Sequence, residues 1–327
     1  MSTPPTVADV HAAAHRIAGH AVRTPLLSSA VLDERAGMRV LIKCETLQRT
    51  GSFKFRGAYN ALAARSPAER RGGVVAVSSG NHAQGVAEAA RLFGIAATIV
   101  MPADAPAIKR ERTERSGGRI VAYDRVTGDR DAIAAAHIAA HGGFLVHAYN
   151  DAYVIAGQGT VGLEIVEDCR RLGVIPDVIA TPCGGGGLGA GIALAVGEVW
   201  PELVVTLVEP EGFDDYRRSL LAGRIVANER ASGSVCDALL APSPGALGFA
   251  IHTARHSQAT AVSDDQALAA VAFAFRELKL VVEPGGAVAL AAVLSGHLKV
   301  DGGVVVIVLS GGNVDEPVLA RALADNS

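Results

Sequence analysis

Lys54 stands between Phe53 and Phe55 in RTGSFKFRGAYNAL, residues 49–62, directly after a Gly-Ser pair. A lysine kept for solubility ordinarily has polar neighbours. This one opens a helical pattern, with Ser52 as the expected N-cap and the small residues Gly57 and Ala58 three and four positions on. A helix N-terminus and an apolar setting both disfavour an ammonium charge. An amine with a lowered pKa is a nucleophile suited to Schiff-base formation. Taken alone, a lysine snorkelling at the edge of a lobe is the better account, so the other loops must decide.

Three stretches bear on that decision. ATPCGGGGLGAG, 180–191, follows an apolar run and leads into IALAVGEVW. Gly184, Gly185, Gly186 and Gly187 leave backbone amides bare at a helix start, which is a cradle for a phosphate. Gly184, Gly186 and Gly189 also match GxGxxG, and Glu209 ends a strand pattern 20 residues after Gly189, where a dinucleotide fold places its ribose-binding acid. On this loop alone a dinucleotide oxidoreductase is a fair reading. VSSGNHAQG, 77–85, presents Ser78, Ser79 and Gly80 ahead of Asn81 and His82. It suits a carboxylate, and an ordinary Ser-Gly-Asn helix cap competes with that reading. LSGGNVDE, 309–316, offers Ser310 and Gly311 at another strand end. A poised lysine, a phosphate cradle, a carboxylate-type loop and a lone hydroxyl are accounted for together by a pyridoxal phosphate site.

Such loops need a scaffold that brings strand ends to one crevice. Apolar runs of strand length occur at 39–45, 73–78, 97–101, 119–123, 144–148, 177–182, 204–209 and 303–310, with Ala-rich amphipathic stretches between most of them. Continuous apolar strands alternating with helices predict an α/β fold with parallel sheets covered on both faces. Ligands in such sheets bind at the carboxyl ends of the strands. The chain has 327 residues, half of them hydrophobic, which fits two lobes or one large unit. The block from about 72 to 148 reads as a compact inserted lobe. The expected division is therefore 1–70 with 149–327 as the large domain and 71–148 as the small one.

The bulk properties narrow the class further. A net charge of −3 and 4% aromatic residues argue against a nucleic-acid partner, which needs a basic stripe or stacking surfaces. Cys44, Cys169, Cys183 and Cys236 show no CxxC spacing and read as free thiols of a reducing cytosol. No signal-peptide pattern or membrane-spanning run is seen, so a cytoplasmic protein without a membrane partner is expected. His11/His15 and His137/His141 have helical metal spacing but no HExxH acid, and read as solvent-facing. KRERTER, 109–115, reads as a solvated helix face. No further domain follows residue 327, so feedback through an extra C-terminal domain is not expected.

GSFKFRGAYNAL, SSGNHAQGVA, PCGGGGLGAG, VEP, VEPGGAV and LSGGNVD occur in this order between about residues 20 and 320. Together they resemble the fold-type II pyridoxal-phosphate enzymes (tryptophan synthase β-like), specifically the threonine/serine dehydratase and serine racemase group. The resemblance implies that Lys54 forms the Schiff base and removes the Cα proton, and that Phe53 packs beside the pyridine ring. It places Asn81 on the cofactor's phenolic oxygen and Gly184 to Gly187 with Leu188 around the phosphate. Ser310 falls at the ring nitrogen and Glu283 near the ring edge. Ser78, Ser79 and His82 are implied for the substrate carboxylate, with Arg130 and Asn150 near the substrate entrance. A serine at the ring nitrogen keeps the ring nearly neutral, which favours expulsion of a β-hydroxyl.

The implied activity is an ammonia-lyase acting on L-threonine and L-serine. Ser79 qualifies this. Many dehydratases of the group resemble SAGNH here, whereas serine racemases carry SSGNH, and 3-hydroxyaspartate dehydratases share the serine. A racemase or a 3-hydroxyaspartate dehydratase is therefore the rival. Glu209, the Phe213 carbonyl and Asp215 in VEPEGFDDY resemble the divalent-cation site of that group, and all-oxygen ligands suit Mg²⁺, Mn²⁺ or Ca²⁺; a solvated acidic helix cap is the competing reading. The family also implies a homodimer. One departure stands near the expected substrate position: SVCDALL, 234–240, has Cys236 and Ala238 where the family commonly shows the alanine and glycine of TIADGL.

Overall fold

The computed structural model describes residues 3–105, 107–124 and 127–325. The strands are β1 Leu26–Ser28, β2 Arg39–Cys44, β3 Val74–Val77, β4 Ala97–Pro102, β5 Gly118–Tyr123, β6 Phe144–Leu145, β7 Val178–Pro182, β8 Val204–Pro210, β9 Gln258–Val262 and β10 Val304–Leu309. The helices are α1 Val7–Ile17, α2 Ala30–Ala36, α3 Lys54–Ala63, α4 Pro67–Arg70, α5 Asn81–Phe93, α6 Ala107–Arg115 and α7 Arg130–His141. They continue with α8 Ala152–Arg171, α9 Gly187–Gly197, α10 Asp215–Ala222, α11 Ala246–Ala254, α12 Asp264–Phe273, α13 Pro284–Leu294 and α14 Glu316–Asp325.

The strands form a six-stranded sheet, β1-β2-β10-β7-β8-β9, and a four-stranded sheet, β5-β4-β3-β6. The pairings are parallel except for β1 on β2. The predicted α/β class with helix-flanked sheets is what the chain adopts. Val305 to Leu309 are all buried, as a central parallel strand covered on both faces requires.

Two strands were not foreseen. β1 is three residues long and half-exposed, and β9, QATAV, is a small-residue strand at the opposite edge. Neither has the continuous apolar run that marks a buried strand. The expected strand at 144–148 stops at Leu145. Beyond it the Nδ1 of His147 accepts the amides of Tyr149 at 3.3 Å and Asn150 at 3.0 Å, which closes a turn.

Helix α3 carries Lys54, and its seating departs from expectation. Ser52 is not the N-cap. It is extended (φ −161°, ψ 158°) and pairs with Gly311, while Phe53 takes the cap position. The chain entering α3 is thus stitched to the loop after β10. The helix itself lies tight on α8: a Cβ on Gly157 would fall 2.6 Å from the Gly57 Cα. Beneath it the buried Arg56 guanidinium holds Glu45 and Glu164, and the buried Lys43 ammonium holds Glu164 and the Thr24 carbonyl. Charges so buried persist only when paired.

Candidate active site

The carboxyl ends of β3, β7, β8 and β10 supply the loops singled out in the sequence. Lys54 opens α3 half-buried. Its Nζ donates to the Ala148 carbonyl at 2.9 Å and lies 5.2 Å from the centre of the Phe53 ring. Burial lowers its pKa to about 8, with Glu283 opposing.

Four expected residues, Phe53, Asn81, Glu283 and Ser310, are bonded in pairs around the start of α3. Phe53 N–H donates to the Ser310 carbonyl at 3.1 Å. Asn81 Nδ2 donates to Glu283 at 2.5 Å, and Asn313 Nδ2 donates to Asn81 Oδ1 at 2.7 Å. The Asn81 amide is thereby fixed from both sides. Burial raises the Glu283 carboxyl to about 7, Asp237 adding to the effect and the Asn81 bond reducing it. The Glu283 amide also donates to the Gly311 carbonyl at 3.0 Å, so the loops after β3 and β10 and the start of α13 form one hydrogen-bonded unit.

In the loop after β3, Ser78 Oγ accepts the Gly80 amide at 3.2 Å, and Gly80 rather than a serine caps α5. Ser79 is half-buried on the same turn. His82 is buried and hydrogen-bonds the Val146 carbonyl at 2.8 Å through Nε2. Burial and then the Lys54 charge lower its pKa to about 3, so it is a neutral ring. Its bonded nitrogen must carry the proton, and Nδ1, also buried, has no partner among the described residues. Asn150 turns its Oδ1 to the Leu247 amide at 3.0 Å, which makes it a tether of α11. Arg130 is the exposed first residue of α7; with burial, its charge depresses the pKa of His147.

The glycine loop is shaped by two tyrosines that sequence reasoning missed. A Cβ on Gly185 would lie 2.1 Å from Tyr149 Cγ, and one on Gly186 would lie 2.0 Å from Tyr216 Oη. Gly186 also has φ +84°, a left-handed conformation that favours glycine. The Gly187, Leu188 and Gly189 amides start α9 and have no acceptor among the described residues, as the first turn of a helix dictates. Ala148 accepts Lys54 and Tyr149 touches Gly185, so one short segment joins the lysine to the loop. Leu239 of SVCDALL packs on Gly184, placing that departure from the family pattern against the same loop.

The expected cation ligands lie to the side of this group. Glu209 is fully buried and accepts the amides of Tyr216 at 2.8 Å and Arg217 at 2.9 Å. It caps α10, whose own Asp214 makes no side-chain cap. With both oxygens so engaged it is not a ribose ligand, which removes the support GxGxxG drew from it. Asp215 accepts from Asn228 through one oxygen at 2.7 Å, and the other is buried without a partner among the described residues. Burial raises Asp215 to about 6 and Glu209 well above its ordinary value, Asp215 adding to the latter. Among the described residues no three His, Cys, Asp or Glu side chains form a metal cluster. The expected set consists of this carboxyl pair and the carbonyl of buried Phe213.

Other expectations fall out as follows. His11 is exposed and pairs with Glu198 at 2.8 Å, but His137 is half-buried and bonds Thr98 Oγ1 at 3.1 Å. KRERTER is not a purely solvated face: Thr113 is buried and Lys109 pairs with Asp237. All four cysteines are free and buried. No helix among the described residues is long and apolar enough to cross a membrane.

A half-buried amine, joined through Ala148 and Tyr149 to a glycine loop at a helix start, has the parts of a pyridoxal-phosphate type of site. The chain matches the family described as "Pyridoxal-phosphate dependent enzyme" over residues 17–311 and belongs to it. Among curated relatives, the L-threo-3-hydroxyaspartate ammonia-lyase of a Pseudomonas species is 43% identical, covering 94% of this chain and 95% of its own. The L-threonine ammonia-lyase of Thermotoga maritima is 41% identical over 97% of this chain and 78% of its own. The structure of maize serine racemase superposes with a TM-score of 0.91 at 35% identity, covering 98% of both chains.

Proposed function

We propose that this protein is a pyridoxal-phosphate ammonia-lyase that converts L-threonine and L-serine to 2-oxobutanoate and pyruvate with release of ammonia. The observation that carries the reading is Lys54: an amine whose one hydrogen bond among the described residues goes to a backbone carbonyl, with a pKa lowered to about 8. The residues fit the cofactor, because the α9 amides suit its phosphate and Asn81 and Ser310 offer polar groups at the ends of β3 and β10. When bound, the cofactor supplies an aldehyde for an amine and a ring that accepts the electron pair left at Cα.

The remaining work belongs to this chain. Lys54 Nζ accepts the Cα proton. The Cβ–O bond then breaks, and the hydroxyl leaves as water once protonated. The released enamine tautomerises and hydrolyses to the 2-oxo acid and ammonia. Ser78, Ser79 and the amides of the turn before α5 hold the substrate carboxylate. Neutral His82 adds no charge there. Ser79 Oγ is a second proton carrier in this loop, and a proton returned from it to Cα would invert the amino acid.

A second reading is a 3-hydroxyaspartate ammonia-lyase. Arg130 favours it, since its guanidinium is exposed and acts electrostatically on His147 and Tyr149, where a second carboxylate would find a cation. The same proposal includes a divalent cation at Asp215, whose buried Oδ2 has no partner among the described residues, with Glu209 and the Phe213 carbonyl beside it. It also includes a homodimer in the cytoplasm, and a division into 1–70 with 149–327 and 71–148. That division is supported by the four-stranded sheet using only strands between Val74 and Leu145.

The test is 2-oxo acid release from L-threonine, both serine enantiomers, 3-hydroxyaspartate and phenylserine, with and without Mg²⁺, beside a Lys54→Ala control. Release from threonine and serine, lost in the control, supports the first reading. Release confined to 3-hydroxyaspartate supports the second. No release from any of them contradicts both.

A further inference from the structure

The glycine loop is held from below by two side chains that nothing in the proposed chemistry uses. Tyr216 Oη donates to the Gly185 carbonyl at 3.3 Å. His252, fully buried on α11, meets the next carbonyl, Gly186, through Nε2 at 3.2 Å, and its Nδ1 meets Ser257 Oγ at 2.9 Å. A carbonyl can only accept, so Nε2 carries the proton and Nδ1 accepts from Ser257. The two rings pack edge to face, with centroids 5.3 Å apart.

Both carbonyls are doubly occupied. Gly185 O also accepts the Gly245 amide at 3.2 Å, and Gly186 O also accepts the Ala190 amide at 3.0 Å. A peptide unit is planar and trans, so fixing its carbonyl fixes the opposite direction of its N–H. The far end of the Gly185–Gly186 unit is the Gly186 amide, whose direction the Gly185 carbonyl sets. The far end of the Gly186–Gly187 unit is the Gly187 amide, the first of the three without an acceptor. Shape makes the same point: a Cβ on Gly248 would fall 2.7 Å from Tyr216 Oη, so Gly186 and Gly248 together form the slot the phenol fills.

We infer that Tyr216 and His252 are positioning residues for cofactor capture, aiming the Gly187 amide and the first turn of α9 at the cofactor phosphate. This rests on the glycine loop being the seat of that phosphate. Neither side chain touches the substrate or the reacting atoms, so the effect should appear in affinity for the phosphate-bearing cofactor.

The experiment measures the dissociation constants of pyridoxal phosphate and of phosphate-free pyridoxal for the full chain stripped of cofactor. It compares the wild type with Tyr216→Phe, His252→Asn and His252→Gln. The wild type should strongly prefer the phosphate-bearing form. Tyr216→Phe and His252→Asn should each weaken pyridoxal phosphate about five-fold, the worth of one hydrogen bond, and leave pyridoxal unchanged. His252→Gln, which keeps an N–H near the position of Nε2, should recover most of the loss. Equal weakening of both ligands, or none in either variant, would overturn the inference while leaving the loop as the phosphate seat. A wild type indifferent to the phosphate would overturn that seat and the inference with it. Tyr216 and His252 lie on different helices and are tested separately, so the failure of one variant to fold leaves the other decisive.

Discussion

Lys43 lies on β2 and Lys54 opens α3, and their surroundings differ in kind. Lys43 is fully buried, 2.6 Å from Glu164, 3.7 Å from Asp168 and 2.7 Å from the Thr24 carbonyl. Arg56 and Glu45 complete a cluster in which each cation faces anions. Lys54 has a carbonyl, an aromatic ring and no carboxylate in salt-bridge contact. Burial without a paired anion lowers a lysine pKa, whereas an ion pair holds the charge in place. One lysine therefore anchors the helix, and the other is left with a usable lone pair.

Substitutions should separate these roles. Lys54→Ala should reduce 2-oxo acid release about 10³-fold or more, since it removes nucleophile and base together, while the urea midpoint stays close to that of the wild type. Lys43→Met should do the reverse. It removes one of the two cations that Glu164 holds and leaves the buried Thr24 carbonyl without its lysine donor, which should cost about 1–3 kcal/mol in urea unfolding, with turnover per folded molecule retained. A Lys43 variant that folds normally and loses activity would erase the distinction.

Smaller effects sharpen the picture of the Lys54 side. Ser79→Ala should cut inversion of serine about 10²-fold, as loss of a proton-transferring group does, and spare elimination; chiral chromatography of the recovered serine reads this directly. Gly186→Ala places a methyl where Tyr216 Oη stands and forces a φ of +84° on alanine. It should cost about 2 kcal/mol and release cofactor on dialysis. The mildest prediction concerns pH. Only the neutral amine attacks an aldehyde, and the Lys54 pKa is lowered to about 8. Cofactor capture by the stripped protein should therefore quicken as pH rises and level off above about 8. An unperturbed lysine would carry the rise past pH 10.

Much of this was legible in the sequence because the signals are local. Strand-length apolar runs marked eight of the ten strands, the edge strands β5 and β6 among them, and the loops after them contain Asn81, Gly184 to Gly187 and Ser310. Edge strands β1 and β9 lack that signal. The fit of Tyr149 and Tyr216 to Gly185 and Gly186 could not be read, because it joins residues 36 and 30 positions apart and a glycine run looks the same whether its missing side chains make room for a phosphate or for a ring. Glu209 was read first as a ribose acid and then as a cation ligand; its observed bonds cap α10 from outside that helix. Ser52 was assigned to the helix it precedes, since its pairing with Gly311 depends on the distant β10.

The central claim is that Lys54, of Lys43, Lys54, Lys109, Lys279 and Lys299, is the residue that captures the cofactor. Borohydride reduction of the pyridoxal phosphate-loaded protein, followed by peptide mass spectrometry, tests it. The account predicts a reduced pyridoxyl adduct confined to the peptide containing Lys54. An adduct on Lys43 or another lysine, or none in a protein that retains the cofactor's yellow colour, would contradict it.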